Sequence, residues 1–180
     1  MADRFDSLSE EHIGFIRRQA IYFIGTAAAD GFVNVSPKGM DTFRVLDATR
    51  IAWLNLTGSG NETAAHVLEN PRMTVMFCAF EKQPLILRLY GQARVIHPRD
   101  EDWQQQLEHF PVQAGARQIF ELSLEMVQTS CGFAVPCYDF VGMRPTLDKW
   151  AVNKGQQGIE QYWLEKNTTS LNGKPTGING

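Results

Sequence analysis

The sequence predicts a mainly β fold with peripheral helices, organised as an antiparallel barrel. Three observations carry this expectation. Short apolar segments are joined by tight-turn signals, at Asp30-Gly31 and again at Asp47-Ala48-Thr49. Several segments alternate apolar and polar with the period of a strand, most cleanly where Phe120, Leu122, Leu124 and Met126 share one face. Helical patterns fall at the ends of the chain and in connections. A layered α/β fold would instead need a crossover helix between its parallel strands.

The elements follow in order. Ser7-Leu8-Ser9-Glu10 reads as a capping box, with Glu10 and Glu11 suited to a helix start and Ile13, Ile16 and Ala20 on one face. This predicts a helix over about 8–19. "IYFIGTAAADGFVNVSP" and "TFRVLDATRIAWLNL" read as two hairpins. "NETAAHVLENP" reads as a short helix stopped by Asn70-Pro71. "RMTVMFCAF" is apolar on both faces, as a central strand is. In "LILRLYGQARVI", Leu85, Leu87 and Leu89 oppose Arg88, Tyr90, Gln92 and Arg94, and Gly91 marks a bulge or a close backbone approach. "PRDEDWQQQLEHF" predicts a short helix, and 146–166 a helical C-terminal region. The tail, about 167–180, is rich in Gly and Asn and is expected to be loose. All of this fits one domain over 1–180.

Composition excludes several functions. The chain has 180 residues, is 43% hydrophobic and 21% charged, and carries a net charge of −3. That balance gives no electrostatic case for nucleic acid or an anionic membrane. No apolar run reaches bilayer length, and the polar N-terminus lacks the apolar region of a secretory signal, so a cytoplasmic protein is expected. Asn55, Asn61 and Asn167 each begin a glycosylation sequon, which that location would leave unused. Cys78, Cys131 and Cys137 lack metal-ligand spacing and read as reduced thiols. The four histidines are scattered. No Ser-His-Asp or paired-carboxylate pattern suggests a hydrolase.

The candidate chemistry is anion binding. Lys38 and Arg44 flank a Gly39-Met40 turn and suggest a shared phosphate clamp; a surface Arg and a loop Lys are the plain alternative. Ser59, Gly60, Asn61 and Thr63 crowd a helix start, where free backbone N–H groups and the helix dipole favour an anion. The plain alternative there is N-capping by Ser59 or Asn61. Glu62 would repel a phosphate if it pointed inward, so it is expected to face solvent. Arg88 is a third cation, either meeting a ligand or solvated. Gly58 and Gly60 nearly spell a dinucleotide fingerprint, but the surrounding hairpins are foreign to that fold.

The order of these segments resembles the pyridoxamine 5′-phosphate oxidase-like family, the FMN-binding split barrels. The resemblance runs over about residues 8–97, through "TAAADGFVNVSPKGM", "RIAWLNL", "GNETAAHVLENPRMTVMF" and "LILRLYGQARVI". It implies an antiparallel split barrel that binds FMN at a homodimer interface. By position, Arg44 matches the family's phosphate-binding cation and Lys38 falls near its other basic position. Trp53, Leu54 and Asn55 match the strand end that flanks the isoalloxazine. Gly60, Asn61 and Thr63 stand where the oxidases place Arg and Lys. The C-terminal motif of the vitamin B6 oxidase is absent, so that activity is not expected. The resemblance implies an FMN-dependent oxidoreductase acting on a small molecule. The alternatives are a flavin-, deazaflavin- or haem-binding protein without turnover, and a barrel that binds no flavin.

Overall fold

Twelve elements follow one another in the computed structural model, which describes residues 2–180: β1 (Asp3–Phe5), α1 (Glu10–Arg18), β2 (Tyr22–Thr26), β3 (Asn34–Lys38), β4 (Phe43–Asp47), β5 (Arg50–Leu56), α2 (Glu62–Glu69), β6 (Arg72–Cys78), β7 (Ile86–Ile96), α3 (Trp103–Leu107), β8 (Ala116–Ser130) and α4 (Thr146–Lys166). The strands form one eight-stranded sheet in the order β3-β2-β6-β7-β8-β5-β4, with β1 added beside β8. Every pairing is antiparallel. β8 carries β7 along one edge; its other edge pairs first with β5 and then with β1.

The sheet curls but does not close. Its edge strands, β3 and β4, are not hydrogen-bonded to each other. Side chains bridge the gap instead. Tyr22 and Thr42 hydroxyls meet at 2.7 Å, and the Tyr22 and Phe43 rings meet edge to face. The molecule is therefore an antiparallel split barrel. Ile24, Ile51, Trp53, Val75, Phe77, Leu87, Leu89, Phe120 and Leu122 fill the interior. Trp53 stacks on Phe120 with ring centroids 4.6 Å apart. A second cluster, built on Leu54, Ile96 and Ile119, lies on the outer face under Trp103 and Phe110. Each such buried side chain contributes roughly 1.5–3 kcal/mol by leaving water.

Gly91 shows why its residue type is required. The β7–β8 register shifts between Tyr90 and Gly91, and a Cβ at Gly91 would lie 1.9 Å from the Ser123 carbonyl oxygen. The bulge and the close approach expected from sequence are both present.

Four local expectations are corrected. The capping box of α1 is Ser9 with His12, two residues later than Ser7–Glu10. The Ser9 hydroxyl accepts the His12 N–H, and His12 Nδ1 accepts the Ser9 N–H. Burial holds His12 below its ordinary pKa, which keeps that nitrogen free to accept. Asp30-Gly31 sits inside a wider loop over 27–33, because the last β2–β3 pair is Thr26 with Asn34. β1 was not foreseen, since all three of its residues are exposed and show no alternation.

The fourth correction concerns the tail. Residues 167–180 pack against the barrel. Asn167 and Thr176 are fully buried, and Thr169 bridges to Pro175. Lys174 pairs with Asp30 at 2.6 Å and with Glu69, while Arg99 donates to the carbonyls of Gly177 and Ile178. Its glycines serve as turns: Gly173 and Gly177 both have positive φ.

Candidate functional site

The alternation of β3 places Asn34, Ser36 and Lys38 on one face, opposite exposed Val33 and Val35. That face looks toward the end of β5 and the start of α2. Between them lies a cavity of about 230 Å³, whose other walls include Asn55, the 58–61 loop, Thr63 and Arg117. Thr63 receives a hydrogen bond from Asn34 at 3.2 Å, which ties β3 to α2.

Two cations enter this cavity without a carboxylate partner among the described residues. Lys38 Nζ donates to Asn55 Oδ1 at 3.4 Å and lies 5.1 Å from the Trp53 ring centroid. Arg117, from the start of β8, is 2% exposed and donates to Asn167 Oδ1 at 2.6 Å. Its Nε has no partner, and neither do Ser36 Oγ or Asn61 Oδ1. Burial pushes Lys38 down to about 8, with the nearby Arg117 charge adding to the effect. Burial pushes Arg117 down to about 10. Both remain mainly cationic at neutral pH, so the cavity is positive and under-coordinated.

The loop completes an anion cradle. Asn61 is the N-cap of α2, yet its side chain makes no cap hydrogen bond, so the first backbone N–H groups of the helix lack that acceptor. A Cβ at Gly58 would meet nothing within 4 Å, which leaves room beside the backbone. Glu62 also lines the cavity, but its carboxylate accepts the Leu171 N–H from both oxygens at 3.0 Å. A phosphate-sized anion fits this donor set. A metal ion does not: no cluster of His, Cys, Asp or Glu suited to one occurs among the described residues.

Lys38 also borders a second, larger cavity of about 450 Å³. Gly39, Phe80, Tyr138, Phe140 and Met143 contribute to its more apolar walls. The two cavities therefore share one cationic wall.

The structure gathers part of the expected site. Lys38, Asn55, Ser59, Gly60, Asn61 and Thr63 line the first cavity, and Gly39 the second. Trp53 lies beneath Lys38 in the barrel interior, whereas Leu54 points into the outer cluster. The expected clamp of Lys38 with Arg44 is not formed. Arg44 grips Asp41 with two nitrogens at 2.6 and 3.0 Å, donates to the His109 carbonyl and covers the Phe110 ring. Arg88 donates to Ser130 Oγ and borders neither cavity. Arg117 takes the place proposed for a second cation. Nothing in its own segment signals an anion site, and only the fold brings it beside Lys38. Asn167 was missed because it belongs to the tail. Asn55, Asn61 and Asn167 are all 2% exposed or less, which leaves no room for a glycan on any of the three sequons in the folded chain.

Comparison with known proteins gives the same architecture. The family model described as Pyridoxamine 5′-phosphate oxidase matches residues 8–131. The chain is 36% identical to the pyridoxamine 5′-phosphate oxidase family protein ustO of Aspergillus flavus, over 95% of this chain and 76% of that protein. Among solved structures, it is similar to a candidate pyridoxamine 5′-phosphate oxidase of Lactobacillus delbrueckii, with a TM-score of 0.55 and 22% identity over 68% of this chain and 94% of the other. It is also similar to the FAD binding protein of Mycobacterium smegmatis, with a TM-score of 0.50 and 14% identity over 70% and 97% of the two chains. The family match spans most of the barrel, from the residues leading into α1 to the end of β8, and the protein belongs to the pyridoxamine 5′-phosphate oxidase-like family.

Proposed function

We propose that the protein is an FMN-dependent oxidoreductase that acts on a small molecule in the cytoplasm, with the phosphate end of FMN held between Lys38 and Arg117. The observation that carries this reading is a pair of cations, half-buried Lys38 and buried Arg117, without a carboxylate partner among the described residues, set at a helix start and joined through Lys38 to a more apolar cavity. A ligand with an anionic end and a flat apolar end suits that combination. The name of the Mycobacterium smegmatis neighbour supports a flavin.

The residues present fit the group. Arg117 Nε is an unsatisfied donor; Ser36 Oγ can donate its proton; Lys38 supplies a compact charge. When bound, a flavin supplies the electron transfer itself. The chain's part is to hold the anion and orient what is attached to it. Lys38, at the junction of the two cavities, places positive charge beside the more apolar one and stabilises negative charge that develops there. A homodimer with the cofactor at its interface completes the proposal. Exposed Phe32, Val33 and Val35, beside and along edge strand β3 on the side turned from the cavity, give an apolar surface for a second copy.

The test is a visible spectrum of the purified protein, followed by titration with FMN. Bound flavin is the expected result, with Lys38→Ala and Arg117→Ala each weakening FMN retention at least about tenfold. A colourless protein that takes up no added FMN ends the flavin reading. Anaerobic reduction with NADH or NADPH, then a survey of acceptors, separates an oxidoreductase from a carrier without turnover.

A further inference from the structure

The 57–61 loop is held from far away in the chain. Trp163 Nε1 donates to Thr57 Oγ1 at 2.7 Å from the last turns of α4. Asn167, fully buried and immediately beyond that helix, makes four connections besides its backbone N–H bond to the Trp163 carbonyl. Its Oδ1 accepts from Arg117, and its Nδ2 donates to the Gly58 carbonyl at 3.1 Å. Its own carbonyl accepts from Asn61 Nδ2 at 3.3 Å and from Thr176 Oγ1 at 2.5 Å. Asn167 does not itself line the cavity. One residue thus fixes the buried cation, the entry of the loop and the N-cap of α2, and the tail locks that residue in place.

We infer that the C-terminal tail is a strap that presets the anion cavity, with Asn167 as the positioning residue for Arg117 and for the start of α2. Without Asn167, Arg117 loses the acceptor on its buried guanidinium, and the Gly58 carbonyl loses its side-chain donor. The cation and the helix start are then free to separate, so each anion bound must restore their arrangement at the expense of affinity. This inference uses the anion cavity of the proposed function but does not require that the anion belong to a flavin.

The test compares FMN, riboflavin and inorganic phosphate on the full-length protein. Riboflavin lacks the phosphate, so the ratio of riboflavin to FMN dissociation constants isolates the anion end. Asn167→Ala is expected to cut that ratio, and the phosphate affinity, by about tenfold while riboflavin binding stays the same. Thr176→Val, which removes only the lock on the Asn167 carbonyl, is expected to cut both about threefold, and it serves if the first variant does not fold. A ratio that survives in Thr176→Val, or a parallel loss of FMN and riboflavin, overturns the strap. If wild type binds phosphate but no flavin, the flavin reading falls and phosphate alone decides the strap. If wild type binds neither FMN nor phosphate, both fall.

Discussion

At the residue scale, Lys38 ties electrostatics to pH. Its folded pKa of about 8 lies below the ordinary lysine value of 10.5 because burial and Arg117 disfavour its charge. Between these values the unfolded chain holds more protons than the folded one, so stability of the free protein rises as pH passes from 8 toward 10.5. Anion binding runs the opposite way, because it uses the charged form. Phosphate affinity is expected to be high near pH 7 and to fall as pH rises through 8, measured by titration across pH 6.5–9.5. Lys38→Met should flatten that profile; a slope that survives in the variant would assign it to another group. The residue scale was also the least readable from sequence. Lys38 was visible because it borders the Gly39-Met40 turn and falls near a basic position of the family. Arg44 looked equivalent because it is near in sequence and matches a family position. Asp41, three residues away, captures its guanidinium.

At the scale of elements, reading succeeded where one local rule decided the outcome. The β4–β5 hairpin turns at the expected Asp47-Ala48-Thr49, and the Gly91 bulge lies where a lone strand glycine pointed. Gly91→Ala is therefore expected to destabilise by about 3 kcal/mol or more, since the colliding Ser123 oxygen is backbone and cannot rotate away. Gly58→Ala, where the added Cβ meets nothing, should change stability by under about 1 kcal/mol. Chemical denaturation of the two variants checks the contrast, and equal losses would refute the close-approach account. Reading failed where partners are distant. Arg117 carries no anion-binding signal in its own segment, because Lys38 and the start of α2 meet it only across the fold. The tail looked loose because its turns and its buried Asn167 and Thr176 gain their meaning only against the barrel.

At the scale of the whole molecule, the last residues hold the first half of the site. His97 belongs to the same region: a Cβ at Gly177 would lie 3.7 Å from its Nε2, and Arg99 holds the Gly177 and Ile178 carbonyls. Burial, reinforced by Arg99, pushes His97 down to about 4. The unfolded chain therefore binds the extra proton between about pH 4 and 6.5, and stability is lost as pH falls through that window. Melting temperature is expected to drop on acidification, and less so in His97→Gln. An identical acid limb in the variant would remove His97 from the account.

The separation between loop and strap has a consequence for how the chain is made. Asn61 and Asn167 are 106 positions apart. At roughly 5–20 residues per second, ribosomes deliver the second about 5–20 s after the first. Until Asn167 arrives, the loop and the start of α2 lack their clamp, so the anion site is completed only after β8 and α4 have been made, long after the loop that forms its wall.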